Sequence, residues 1–335
     1  MLTVLYAVVS VAFGSFSPLP EDTLSGETEE LSSEQEVSSQ PSVQEQTESE
    51  IPTVSSETES TSSAVAAAEN HTVSGKIISR FIDPTAASLG YNNIYIKNNT
   101  DAAIDIKNEL EQGLSFKINK SSEPEVLIVH THATESFMLE ERDYYTTTDY
   151  SRTTDETKNM IAVGEIVAAE IKAAGFSVLH DKTLHDYPSY TGSYTVAAKT
   201  IKSYLEKYPS IKIVLDIHRD AIGGGGNDKA KVVKEINGKN AAQVMLVMGS
   251  QTGNVSGFPN WKQNLRLAMR FHQKLETMYP GLARPLLLKS SKYNQNLTTG
   301  SMLLEVGTDA NTLDEAKYSA ELVGKALSAL LSDLR

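Results

Sequence analysis

Cysteine is absent from the 335 residues. That excludes thiol catalysis, disulfides and Cys-type zinc sites, and leaves any metal to histidine and carboxylate ligands. Basic residues are missing before Lys76, while thirteen of the 43 acidic residues lie between Glu21 and Glu69. The rest of the chain therefore carries 30 acids against 30 bases, and the formal net charge of -13 belongs to the N-terminal stretch. A balanced folded part has no basic face with which to read phosphates, so nucleic acid is excluded as a partner. A phosphate loop is lacking too: "AIGGGG" (221–226) trails a strand and no Lys-Ser/Thr pair comes after it. No internal repeat is visible.

Long apolar runs are also scarce. The first, "MLTVLYAVVSVAFGSFSPLP", is apolar as far as Phe16. It is shorter than the ~20 residues that span a bilayer and lacks the basic start of a signal peptide. Residues 1–18 read as a membrane anchor whose cytoplasmic beginning is missing. The alternative is a signal segment cleaved near Ala12 and Gly14; in both cases the remainder of the chain is exported. Residues 19–70 are Ser, Thr, Glu and Gln with almost no aromatics. Such a segment cannot offset its ordering entropy, which predicts a disordered, self-repelling acidic tether.

Order is expected from about Val73, with residues 71–122 an N-terminal extension and 123–335 the main domain. "SGKIISRFI" reads as a strand and "DAAIDIKNELEQG" as an amphipathic helix. Beyond them, strands in "EVLIVH", "FSVLHD", "IKIVLDIHRDA", "AAQVMLVMGS" and "GSMLLEVGT" are interleaved with helices. Those helices lie in "KNMIAVGEIVAAEIKAAG", "TVAAKTIKSYLEKYP", "WKQNLRLAMRFHQKLETMYP" and "LDEAKYSAELVGKALSALL". The alternation predicts an α/β fold: a largely parallel sheet with helices on both faces.

In such sheets ligands bind beyond the carboxyl ends of the strands. Three strands carry ionisable residues there: His130 and His132 after "VLIV", His218 after "IVLDI", and Glu305 within "SMLLEVGT". Two or three imidazole and carboxylate ligands beside a free carboxylate make the inventory of a catalytic zinc site with an open position. His130 and His132 share a face if the strand continues, so both could approach a metal. His180 and His185 suggest a second metal pair or exposed loop histidines, and His272, mid-helix, a structural one.

"HTHATES", "LDIHRDA" and "MLLEVG", in that order, resemble the stage II sporulation protein P family over residues 120–335. Those proteins are cell-wall hydrolases related to zinc-dependent N-acetylmuramoyl-L-alanine amidases. The resemblance implies a zinc amidase-like catalytic domain in which His218 is a ligand and Glu305 the catalytic carboxylate. His132 is the preferred first ligand, with His130 a second ligand or a supporting group. The ligand carboxylate is Glu135, or else Glu156 at the start of the following helix. Arg219 could bind a stem-peptide carboxylate or stabilise an oxyanion, or simply pair with Asp216 or Asp220.

The same resemblance implies Zn²⁺ as cofactor and peptidoglycan as substrate, cut between N-acetylmuramic acid and L-alanine and also at peptide crosslinks. It further implies stage II sporulation proteins D and M as partners, in the space between mother cell and forespore during engulfment. Rival readings are a zinc carboxypeptidase or endopeptidase, with Arg219 or Arg284 holding a terminal carboxylate, and a non-catalytic tethered wall-binding module. "AIGGGG" would be an open approach loop or a plain connection, and "RDYYTTTDYSRTTD" (142–155) a sugar-binding lip or an ordinary surface loop.

Overall fold

The computed structural model describes residues 72–335; the anchor and tether readings for residues 1–18 and 19–70 lie outside them. In chain order the elements are β1 (Val73–Arg80), β2 (Leu89–Tyr91), β3 (Ile94–Asn98), α1 (Ile106–Glu111), β4 (Val126–Val129) and β5 (Tyr144–Thr146). Next come α2 (Met160–Ala173), β6 (Val178–His180), α3 (Ser193–Lys207), β7 (Ile213–Asp220), β8 (Gly223–Gly225), β9 (Asp228–Ile236) and β10 (Lys239–Ala242). The chain ends with β11 (Val244–Gly249), α4 (Trp261–Met278), β12 (Leu286–Lys289), β13 (Ser301–Thr308) and α5 (Leu313–Asp333).

Eight strands form the main sheet in the order β2-β3-β12-β11-β13-β7-β4-β6. Its pairings are parallel except β2 with β3 and β11 with β13. The sheet is therefore largely parallel, as expected, with one reversal at its centre. The fully buried apolar run of β4 is what a sheet covered on both faces demands.

Register assigns the two faces. Val126 and Ile128 share one with Ile213, Leu215, Ile217, Met302 and Leu304, packed under α2, α4 and α5. Leu127, Val129 and Val214 share the other with Ile201 of α3. At about 1.5–3 kcal/mol for each fully buried aliphatic side chain, the three-helix face carries most of the apolar stabilisation. That leaves the α3 face free for polar work.

A second sheet, β10-β9-β1-β5 with β8 on β9, adjoins the same chain segments. Residues 71–122 are more than an extension: β3 pairs β12 in the main sheet, and β1 lies between β9 and β5. The helix expected over "DAAIDIKNELEQG" is limited to Ile106–Glu111. "AIGGGG" is not an open loop either, since Gly223–Gly225 pairs with β9 and Arg80 donates to the Gly224 carbonyl.

Candidate active site

Strand β4 stops at Val129, and the chain turns tightly enough for Glu135 N–H to donate to the His132 carbonyl at 3.2 Å. His132 and Glu135 therefore belong to one turn above the sheet. On β7 and β13, His218 and Glu305 are register partners, so their side chains leave the same face. By alternation that face also carries Asp216, Val129 and Leu303, and it is the face covered by α3.

The structure thus brings His132, Glu135, His218 and Glu305 together. The rings of His132 and His218 stand 5.2 Å apart at right angles. Glu135 Oε2 is 3.9 Å from His218 Nδ1. As placed, no group of three or more His, Asp or Glu side chains among the described residues forms a closed metal cage. The fit to a metal rests instead on donor chemistry and on what stands behind each ring.

His218 Nε2 lies 2.9 Å from Asp216 Oδ1, within ion-pair reach although not aligned as a hydrogen bond. Asp216 is in turn held by the Thr131 N–H at 2.8 Å and the Thr131 hydroxyl at 2.6 Å. His132 Nδ1 faces Ser193 Oγ at 3.4 Å and Asp186 at 3.9 Å. Asp186 accepts from the Thr134 hydroxyl at 2.6 Å and from Arg152 at 2.5 Å. A carboxylate behind each imidazole is the arrangement that orients ligating histidines. It leaves His132 Nε2, His218 Nδ1 and the Glu135 carboxylate as candidate donors, of the types that zinc accepts.

Electrostatics agree with a site shaped for a cation. Burial opposes charge on His218, yet Asp216, Glu135 and Glu305 outweigh it and push its pKa up to about 9. Burial, reinforced by His218 and Arg152, pulls His132 down to about 3. Glu305 is pushed up to about 8 by burial and by repulsion from Asp220 and Glu135, partly offset by His218 and Arg284. Its Oε2 is enclosed and has no protein partner. A buried carboxylate oxygen left unsatisfied is costly, so its cause is sought in what the site binds. Tyr194 of α3 stands edge-on to His132 and stacked over His218. Burial first, then Asp216 and Glu305, holds its phenol far above the ordinary range.

His130 does not join this group. Alternation along β4 sends it to the opposite face, where Nδ1–H donates to the Ile217 carbonyl at 2.9 Å. Its remaining nitrogen is an acceptor 2.8 Å from His180 Nε2. The expectation that both histidines share a face fails because the strand ends at Val129, before either of them, and His132 lies in the turn that follows. Glu156 is exposed, leaving Glu135 as the carboxylate at the site.

Arg219 departs from both of its expected roles. Its Nε donates to the Ser136 carbonyl at 3.1 Å and an Nη to the Ser151 carbonyl at 2.8 Å. Buried and spent on backbone, it clamps the turn that carries Glu135, whose carboxylate accepts from the Arg219 N–H at 3.1 Å. Asp220 pairs instead with Arg284, itself buried, at 2.8 Å. Arg219 offers no free fork to a terminal carboxylate, whereas Arg284 keeps Nε and Nη2 without a partner but enclosed in the protein.

The other histidines settle as structural. His185 and His180 are not exposed loop residues: side-chain accessibility is 0% and 4%. They form no pair, since His185 donates to the His130 carbonyl at 2.8 Å and meets Thr200 at 3.0 Å. His272 sits between the carbonyls of Asn93 and Arg284. Sequence reasoning missed Asp186, Tyr190 and Arg152, which reach the site from loops, and Ser193 and Tyr194, which reach it from the first turn of α3. It also missed Asp216 as the group behind His218, which the i, i+2 spacing on one strand face would have shown.

Fold and site place the chain among α/β proteins with an imidazole–carboxylate site at the carboxyl rim of the sheet. Within that class it belongs to the stage II sporulation protein P family, whose model matches residues 16–328. Stage II sporulation protein P of Bacillus subtilis (strain 168) is 28% identical over 221 residues, which cover 62% of this chain and 51% of that protein. The chain thus spans about half the length of this curated relative.

Among solved structures, the apo N-acetylmuramyl-L-alanine amidase Ami1 of Mycobacterium abscessus is similar at 14% identity and TM-score 0.36. That likeness covers 63% of this chain and 100% of Ami1. The CwlD amidase of Clostridioides difficile, in complex with the GerS lipoprotein, is similar at 12% and 0.37, covering 62% and 99%.

Proposed function

We propose that the protein is a peptidoglycan hydrolase of sporulating cells. It cleaves the amide between N-acetylmuramic acid and L-alanine of the stem peptide, and peptide crosslinks by the same chemistry. Family membership supports the setting, and the rim of ionisable residues supports the reaction. The observation that carries the reading is the enclosed, unpartnered Oε2 of Glu305 in register with His218. A module that only bound the wall would gain nothing from a buried free carboxylate there.

His132, His218 and Glu135 would hold a zinc ion. When bound, zinc supplies Lewis-acid polarisation of the scissile carbonyl and lowers the pKa of water. Glu305 takes the proton from the attacking water as its oxygen bonds to the carbonyl carbon. The carbon–nitrogen bond then breaks, and Glu305 returns the proton to the leaving amine, so the carboxylate is regenerated. Burial suits Glu305 to this exchange by raising its pKa toward neutrality. Asp216 and Asp186 keep the two imidazoles turned toward the site, while Arg152 and Arg219 hold Glu135 in place.

No helix of the described residues is long and apolar enough to cross a membrane. We place anchoring in residues 1–18 and action outside the cytoplasm, between mother cell and forespore, together with stage II sporulation proteins D and M. The test is metal content of the purified chain together with the masses of fragments released from intact sacculi. One zinc per chain and free stem peptides are expected. Metal-free protein with undiminished release, or sugar fragments with peptides still attached, would overturn the reading.

A further inference from the structure

Beside the catalytic turn lies a cavity of about 470 Å³ that the proposed chemistry does not use. Its walls come from the segment after Glu135 (Ser136, Phe137, Leu139, Glu140, Arg142) and from the loop 148–158. Both walls are fastened to the site. Ser136 N–H donates to the Ser151 carbonyl at 3.0 Å, Ser136 Oγ to the Tyr150 carbonyl at 2.9 Å, and Thr153 N–H to the Thr134 carbonyl at 2.7 Å. Arg219 ties the same two segments from below. The cavity is therefore rigidly coupled to Glu135, one residue away.

Its lining mixes apolar side chains with ionised and hydroxyl-bearing ones. Leu139 and Tyr150 are 59% and 74% exposed, the two most exposed large apolar side chains among the described residues apart from Tyr187. They add nothing to the core, and apolar surface left at the lip of a cavity marks a contact surface. Arg142 pairs with Asp149 through one terminal nitrogen, while its Nε is enclosed without a partner. Lys158 is half exposed on Asp155, and Glu140 is exposed. Two cations against two anions suit neither a polyanion nor a bare phosphate. They suit a short chain carrying ionised groups of both signs and apolar side chains, in a volume within the ordinary range for ligand pockets.

A bond that joins glycan to peptide needs a place for each part. The aromatic surface of the site, Tyr190 stacked on His132 with Tyr194 and Tyr293 beyond, borders the two imidazoles. The cavity begins instead at Ser136, next in the chain to Glu135. We propose that this cavity is the subsite for the stem peptide: apolar side chains rest on Leu139 and Tyr150, carboxylates on Arg142 and Lys158, and an amine on Glu140. The assignment rests on the hydrolase reading above and adds to it which side of the site holds the peptide.

The test uses the full chain, a soluble disaccharide–peptide, the same disaccharide without peptide, and the free stem peptide. Leu139→Ser with Tyr150→Ser, and separately Lys158→Glu, change exposed side chains and should leave the fold intact. KM for the disaccharide–peptide is expected to rise roughly tenfold with kcat within about twofold, the mark of lost uniform binding. Affinity for free stem peptide should fall by the same factor, and Lys158→Arg should restore it. Unchanged KM and unchanged peptide affinity with an active wild-type chain would overturn the assignment. So would loss of affinity confined to the peptide-free disaccharide. If the wild-type chain binds stem peptide in a variant-sensitive way yet hydrolyses nothing, the subsite stands and the hydrolase reading falls.

Discussion

Two histidines separated by one threonine end on opposite sides of the same sheet. His132 leaves the turn on the α3 side, beside His218, with polar groups behind it and Tyr194 over it. His130 is driven into the α2 side, where Gly164 makes room for it and His180. Burial pulls both rings down to about 3, so depressed basicity alone does not separate them. The difference lies in what their nitrogens meet. His130 has spent both, on a carbonyl and a second imidazole, whereas His132 keeps Nε2 for something else.

The strongest way to break this comparison is to remove each ring in turn. His132→Ala and His218→Ala should each lower zinc affinity by more than about 100-fold, beyond the usual cost of a change in a supporting residue, and hydrolysis should fall with it. His130→Ala should leave zinc affinity within about tenfold and cost about 1–3 kcal/mol of stability, since it strands His180 Nε2 without its partner. Metal-binding calorimetry and urea unfolding on the same preparations check both. Zinc loss in His130→Ala equal to that in His132→Ala would merge the two clusters into one site.

Next in size is Glu305→Gln. It keeps volume and hydrogen-bonding capacity but removes the base, so the rate should fall on the order of 10²–10⁴-fold with zinc and peptidoglycan still bound. Single-turnover release from sacculi, with metal content measured alongside, is the check. If zinc left with the carboxylate, Glu305 would be a ligand rather than the base.

Much of this was legible in the sequence, because strand ends and helix periods carry strong local signals. The residues ending β4, β7 and β13 stand out as a set for that reason. His130 was misplaced because a two-residue rule was carried past the last strand residue, Val129, into a turn. Tyr194 and Asp186 left no trace in the sequence: one sits in the first turn of α3 and the other on a loop, and they meet the site only in three dimensions. The β9–β10 hairpin was missed for a different reason. "DKAKVVKEI" looks too charged for a strand, yet Asn237-Gly238 comes directly after it, both with positive φ, as a tight hairpin turn requires. That signal was present and unread.

A third kind of histidine sharpens the contrast through pH. Burial pulls His272 down to about 4, against an ordinary value of 6.5, so the folded chain keeps it neutral where the unfolded chain binds a proton. Its contribution is fully present above about pH 6.5 and is lost as pH falls toward 4, by up to about 3 kcal/mol. Urea midpoints measured between pH 7 and 4 should decline less steeply in His272→Asn than in the wild-type chain. Part of the decline should remain, because His130 titrates in the same direction. An unchanged slope would mean that His272 is not buried neutral.

The smallest effect comes from Gly164→Ala, which probes the packing of His130 without removing it. A Cβ there would stand 2.5 Å from His130 Nε2 and 2.6 Å from His180 Nε2, so the rings must shift. Overpacking of this kind costs about 1–3 kcal/mol, but alanine recovers up to about 1 kcal/mol over glycine inside a helix. The net loss should therefore lie between about 0 and about 3 kcal/mol, with zinc binding and hydrolysis unchanged. The same substitution made in His130→Ala still meets the His180 ring, but no longer the His130 ring, so its cost there should be smaller. The two changes then couple, the combined loss being less than the sum of the single losses, which a double-mutant cycle reads directly. Additive losses would mean that the helix does not press on His130, and the reason given for its seclusion on the α2 side would fall.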